Sequence, residues 1–395
     1  MRVRRIWGVV IALALLVTLL SRQSYAPPVY VETILYVLAL YFVVVLIGPL
    51  ARRVARRVHP PSMQGGSALL VSAVSSGIGS LVSRGFVRSI AVGATRRSDG
   101  EVSTDALAMG PPEELGSHSV LEAGSITKGV TALLLADLVI AGVVSLEDPV
   151  SKYLPLPELE HVTLEHLATH RSGQPRMPRS WVNLLGVSYN DWDEDRLLAS
   201  IRPSMPTERP RYSNLGFALL GQALAAACGV EYEELAQDRI LRPLGMEASN
   251  FKSPVSVAGR DWMGMPAPPW GAPAFAPAGG LKTTVSDLTR LVTSLLGAPE
   301  GSLGEACILA TQPRVQMSRP DQNPAFHGQN IGLGWLINPY GTVWHNGGTF
   351  GFHSWVGANP RLGTGLAVLA PSNCQFVSAR FYSASLATMT TWTGT

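Results

Sequence analysis

Hydrophobic and polar positions divide the chain into regions of different character. In the first sixty residues the apolar positions are continuous, not periodic. Ile6–Leu20 lies behind Arg2, Arg4 and Arg5, and Ile34–Leu50 is followed by Arg52, Arg53, Arg56 and Arg57. A helix spans a bilayer with about 20 apolar residues and a lower limit near 17. The second run reaches that limit and the first falls somewhat short. Pro60-Pro61-Ser62 through Gly65-Gly66 reads as a linker, and from there the apolar positions become periodic.

Ala68–Val82 has the pattern of a Ser-rich helix. Arg88–Thr95 and Glu101–Met109 flank a Ser98-Asp99-Gly100 turn, as a hairpin would. From about residue 150 to 275 the pattern is helices broken by Pro- and Trp-rich loops, clearest at Leu215–Cys228 and Tyr232–Leu241. Thr163 starts a short helix, and Thr284 with Asp287 three residues later signals another through Leu296. Strand patterns return at Thr342–His345, His353–Ala358 and Gly365–Leu369, and Val377–Met389 closes the chain as a helix. These periodicities predict an α/β (α+β) domain over residues 68–390. Five strands from both chain ends form an antiparallel sheet flanked by helices, beside an all-helical lobe at about 150–275. Residues 1–59 are expected to form a membrane anchor of two hydrophobic helices, and 60–67 the linker.

Charge changes the picture in one place. The net charge of +3 owes much to the arginines flanking the N-terminal runs, so no nucleic-acid partner is suggested. If both runs span, arginines at both outer flanks place the main domain on the cytoplasmic side of the cell membrane. A single span would place it outside. Ser24-Tyr25-Ala26 resembles a signal-peptidase site, but Pro27 directly after it disfavours cleavage. Cys228, Cys307 and Cys374 lie far apart without a C-x-x-C, which implies neither a disulfide framework nor a zinc site.

The candidate chemistry starts at Ser125-Ile126-Thr127-Lys128, which opens an apolar helix running to Gly142. A serine and a lysine three apart share a helix face, with Cβ atoms about 5–6 Å apart, so the amine can activate the hydroxyl as a nucleophile. The chain has only four lysines, and arginine could not serve because it does not give up its proton. Ser249-Asn250-Phe251-Lys252 repeats the spacing but is followed by Ser253-Pro254, which stops a helix. An ordinary N-cap serine also fits Ser125. Tyr212-Ser213-Asn214 precedes a helix. A phenol beside a lysine is expected to lose its proton more easily and to relay the serine proton, while Asn214 offers an amide to a substrate carbonyl. A turn tyrosine and an Asn N-cap fit the tripeptide as well. His345-Asn346-Gly347-Gly348 ends a strand. Its glycines allow close backbone approach, the Gly348 and Ser125 N–H groups could form an oxyanion hole, and His345 is expected to point into the cleft. A strand-ending turn with a surface histidine is the plainer alternative.

Taken together, Ser125-x-x-Lys128, Tyr212-x-Asn214 and His345-x-Gly347 resemble the class C β-lactamase and penicillin-binding-protein-like serine hydrolases. Leu146–Val150, Leu167–Gly173, Tyr212–Gly216, Pro277–Leu281 and Gly347–Phe352 look like further landmarks of that family, and the likeness covers roughly residues 68–390. The resemblance implies an α/β/α sandwich with a helical lobe and acyl-enzyme chemistry on a small ester, amide or peptide, without metal or cofactor. It makes Ser125 the nucleophile, gives the proton transfers to Lys128 and Tyr212, and puts Asn214, His345, Gly347 and Gly348 against substrate. True β-lactamases usually begin the third motif with a lysine that helps hold the substrate carboxylate. His345 there resembles the esterase and D-aminopeptidase-like members more. A β-lactamase, or a penicillin-binding sensor acylated with little turnover, is the alternative. His166 and His170 have the spacing of a zinc pair, but Leu167 follows the first histidine where the metalloprotease pattern needs glutamate.

Overall fold

The computed structural model describes residues 61–392, except 112–113, 179–191, 262–263, 298, 318–327 and 374–377. Both expected membrane helices lie outside the described residues. Among those described, no single helix is long and apolar enough to cross a membrane. The chain divides into two compact units, Met1–Val58 and His59–Thr395, and every described element belongs to the second.

Its strands are β1 (Ser62–Gly65), β2 (Ile90–Ser98), β3 (Glu101–Gly110), β4 (Leu121–Glu122), β5 (Lys282–Thr283), β6 (Val315–Gln316), β7 (Asn330–Ile331), β8 (Leu336–Ile337), β9 (Val343–Gly348), β10 (His353–Asn359) and β11 (Thr364–Ala370). Nine of them form one sheet in the order β1-β3-β2-β11-β10-β9-β8-β7-β6, and β4 pairs with β5 separately. The sheet thus has nine strands rather than the five expected. The five long strands are those read from the pattern. The additions are β1, drawn from the stretch read as a linker and paired with the end of β3, and β6, β7 and β8, each two residues long. A two-residue strand is too short to show alternation.

The β2–β3 hairpin turns through Asp99 (φ 54°) and Gly100 (φ 85°), the paired positive angles that match the twist of the flanking strands. β2 then pairs with β11, so the two chain ends meet in one sheet. Both faces are covered, and β2, β8, β9, β10 and β11 divide their side chains between two cores. Ala367 and Leu369 of β11 join the core with the helical lobe, while Leu366 and Val368 join the core with Trp344, Trp355 and Phe381. The predicted helix at Ala68–Val82 is two helices, Ala68–Ser76 and Gly79–Ser83. The break fits Thr388, whose hydroxyl would lie 2.0 Å from a Cβ on Gly77 and instead accepts the Ile78 N–H at 2.8 Å.

Between residues 150 and 275 every named element among the described residues is helical. The Thr127–Ile140 helix is buried on all sides from Thr127 through Leu138, as a helix apolar all round must be. The Asn214–Cys228 helix packs near it and ends at Gly229 in the left-handed region (φ 69°). These two helices bring the serine, lysine and tyrosine motifs together.

Candidate active site

Ser125 sits in a single 3-10 turn, Gly124–Ile126, leading directly into the Thr127–Ile140 helix. Gly124 has φ +54°, and a Cβ there would lie 2.7 Å from the Gly348 nitrogen. Only glycine lets the turn approach the end of β9 so closely. Lys128 is fully buried. Its Nζ lies 3.2 Å from Ser125 Oγ and donates to the Ala278 carbonyl at 2.5 Å. The Pro277–Leu281 landmark therefore sits behind the lysine, with Thr131 Oγ1 donating to the Pro277 carbonyl at 2.7 Å. Burial, and then the nearby Arg176 charge, hold the Lys128 amine well below the usual lysine pKa, favouring the neutral base.

Tyr212 is also buried. Its hydroxyl hydrogen-bonds the Ser125 side chain, and burial pushes its pKa up to about 12 against the opposing influences of Ser125 and Arg176. The expected easy loss of the phenol proton is thus reversed. Desolvation penalises phenolate more than the surrounding cations favour it, and the lysine meant to help is itself driven towards neutrality. Tyr212 rests as a phenol and Lys128 is the group prepared to accept a proton.

His170 holds this loop in place. Its ring stacks on Tyr212 at 4.5 Å, and its Nδ1 accepts the Ser213 N–H at 3.2 Å. The preceding helix is Leu164–Ala168, and His170 lies beyond it in the left-handed region (φ 59°). His166 and His170 therefore share no helix face. No cluster of metal-binding side chains exists among the described residues.

Ser213, not Asn214, caps the following helix, its Oγ accepting the Gly216 N–H at 2.8 Å. Asn214 is left with Nδ2 at 3.2 Å from Met177 Sδ and a buried Oδ1 without a hydrogen-bond partner. At the third motif, a Cβ on Gly347 would lie 1.9 Å from the Ala123 carbonyl, which Ser354 Oγ already donates to at 2.7 Å. Thr349 donates its N–H to Phe352 O at 3.0 Å. By the alternation of an antiparallel ladder, the Gly348–His353 pair is then not hydrogen-bonded. The Gly348 N–H accordingly faces away from β10, towards the Gly124–Ser125 turn.

His345 departs from expectation. It is 1% exposed, its Nδ1 donates to the Asn346 carbonyl at 2.6 Å, and its ring lies 6.3 Å from that of Tyr212. Burial, then the Lys128 charge, lower its pKa to about 3, so it is neutral near pH 7. It stands behind the wall of the cleft, and Asn346 lines the cavity instead. That cavity, of about 330 Å³, also receives Ser125, Tyr212, Gly348, Arg176 and Trp270. Arg176 and Trp270 carried no sequence signal. Arg176 follows a landmark by three residues, and Trp270 lies in a loop without periodicity. The same holds for Glu122, a buried carboxyl whose Oε1 accepts the Trp270 N–H at 2.7 Å.

The geometry places the Ser125 hydroxyl between an amine and a phenol, in a cleft that Gly348 also lines. The Beta-lactamase family profile matches residues 87–382, and the chain belongs to that family. "Beta-lactamase-like protein 2" of Dictyostelium discoideum is 36% identical over 157 residues, 36% of this chain and 27% of that protein. The "D-alanyl-D-alanine-carboxypeptidase/endopeptidase AmpH" of Escherichia coli (strain K12) is 37% identical over 142 residues, 34% of this chain and 37% of that protein. The matched stretches thus span well under half the length of these relatives. A solved class C β-lactamase shares the fold with a TM-score of 0.67 and 20% identity, over 81% of this chain and 95% of that one.

Proposed function

We propose that the protein is a serine hydrolase that cleaves an ester or amide of a small molecule or peptide through an acyl-Ser125 intermediate, in the manner of esterases and D-aminopeptidases. The observation that carries this reading is the fully buried Lys128, its amine 3.2 Å from Ser125 Oγ and pushed towards neutrality. In acylation the neutral amine takes the Ser125 proton while Oγ bonds to the substrate carbonyl carbon. The carbonyl π pair moves onto oxygen, where the N–H groups of Ser125 and Gly348 stabilise it. Collapse re-forms the C=O and expels the alkoxide or amine, which takes a proton from the Tyr212 hydroxyl, and the Lys128 ammonium reprotonates the tyrosine. Water then repeats the sequence on the acyl-enzyme, releasing the acid and restoring Ser125. Asn214 is proposed to meet the substrate carbonyl side. Gly347 keeps β9 against the Ser125 turn. His345 acts from behind Tyr212.

Membership of the Beta-lactamase family supports acyl-serine chemistry, and the name of the Escherichia coli relative is consistent with a peptide substrate. The test is steady-state turnover of p-nitrophenyl esters and D-amino-acid amides. Continuous release abolished in Ser125→Ala supports the hydrolase. A single stoichiometric burst ending in a stable Ser125 adduct would instead make the protein a penicillin-binding-type sensor. We further propose, from the apolar runs and their arginine flanks, that residues 1–59 anchor the protein in the cell membrane with the main domain on the cytoplasmic side. A C-terminal phosphatase fusion active outside the cell would overturn that side, and full recovery of the protein without detergent would overturn the anchor.

A further inference from the structure

We infer that Arg176 reads a carboxylate on the substrate, so that the cation expected at the head of the third motif is supplied here by the loop before Tyr212. The inference rests on the acyl-Ser125 reading and names the substrate class of that site. Among the described residues lining the Ser125 cavity, Arg176 is the sole charged one, and no aspartate or glutamate lines it. Arg176 makes no ion pair with any described carboxylate. Its guanidinium stands 5.3 Å over the Tyr212 ring, a cation–π placement within the cavity that Ser125 also lines.

The other candidates for a positive charge among the described residues around the site are not available at neutral pH. His345 is buried behind the wall and neutral. His353, which does line the cavity, is held at about 4 by burial. Lys128 lies beneath Ser125 with its amine directed at Ser125 and the Ala278 carbonyl. Glu122 is not a lining residue, and burial raises its carboxyl towards the neutral form. Among the described residues, the cleft therefore presents one fixed positive charge with no counter-charge. A planar guanidinium fork matches a carboxylate with two parallel hydrogen bonds, and a substrate carrying one would complete it.

The experiment uses two matched ester pairs on the full-length protein. One pair, p-nitrophenyl hydrogen glutarate and p-nitrophenyl pentanoate, places the carboxylate on the acyl side. The other, 4-acetoxybenzoate and its methyl ester, places it on the leaving group. The expected result is that wild type prefers the acid in at least one pair. Arg176→Gln should then lower kcat/KM for that acid by about 10- to 100-fold, the range for a lost charge-assisted hydrogen bond, mainly through KM. The neutral partner should fall much less. Arg176→Lys should recover part of the preference, keeping the charge but losing the fork. Preference for the neutral ester in both pairs, or an equal loss on acid and neutral esters in Arg176→Gln, would overturn the assignment. Fluorophosphonate labelling of Ser125 in the variant verifies that it folds. Absence of labelling in wild type would remove the hydrolase reading itself, and this inference with it.

Discussion

At Ser125-x-x-Lys128 the lysine is fully buried and its amine is 3.2 Å from the serine hydroxyl. At Ser249-x-x-Lys252 the lysine is outside, its side chain 83% exposed and paired with Glu233 at 3.2 Å. There it is the serine that is buried, with Oγ donating to Asp287 Oδ2 at 2.8 Å. The difference lies in the backbone. Ser125 leads through a 3-10 turn into a helix, so a step of three residues returns to the same face. Ser249 lies beside Asn250, which bridges to Lys282, and that segment sends Ser249 and Lys252 in different directions. A serine that gives its proton to a buried carboxylate is a structural donor. A serine between a desolvated amine and a phenol is the nucleophile proposed here. Spacing alone does not separate them, whereas helix continuity and lysine burial do.

The largest expected contrast is between the two serines. Ser125→Ala should abolish acyl-enzyme formation while leaving the thermal melting temperature nearly unchanged. Ser249→Ala should still label with a fluorophosphonate but lose about 1–3 kcal/mol of stability in urea titration, because buried Asp287 loses a donor. The lysines come next. Lys128→Ala should lower kcat/KM about 10²–10⁴-fold, and Lys252→Ala should leave both activity and stability within about 0.5 kcal/mol of wild type. Equal effects at either pair would break the comparison.

A smaller effect concerns pH. The acid limb of kcat/KM reports protonation of the Lys128 amine, which is faced by Arg176, Tyr212, His170 and His345. Tyr212 is protonated, and both histidines are held neutral by burial. Removing the Arg176 charge makes the ammonium easier to form, so Arg176→Gln should move the acid limb to higher pH. A limb that stays in place would mean Arg176 does not act on the lysine. The least specific effect is on stability. Burial lowers the folded-state pKa of His345 to about 3 and of His353 to about 4. Below about pH 6.5 the unfolded chain takes up protons that the folded one refuses, so stability falls as pH falls. Each such histidine costs about 1.4 kcal/mol per pH unit, until pH reaches its folded value. His353→Gln should flatten this slope in melts between pH 6.5 and 4.

The long elements and the serine–lysine–tyrosine corner were legible because each announces itself locally. The hairpin has its turn, the Asn214–Cys228 helix has Gly229, and Ser125 opens an apolar run. What sequence reading missed depends on contacts between distant segments. β1 is an edge strand only because β3 lies beside it. β6, β7 and β8 are too short to carry a period. Tyr212 lies beside a lysine, as expected, but its proton is governed by burial, which spacing does not report. His345 was expected in the cleft, yet its neighbour Asn346 lines the cavity. Arg176 belongs to the site only through the fold.

The most direct test is to treat the purified protein with a fluorophosphonate and locate the adduct by peptide mass spectrometry, in wild type and in Lys128→Ala. The account predicts a single adduct on Ser125, forming at least about a hundredfold more slowly in Lys128→Ala. An adduct on Ser249, or Ser125 labelling at the same rate without the lysine, would contradict it.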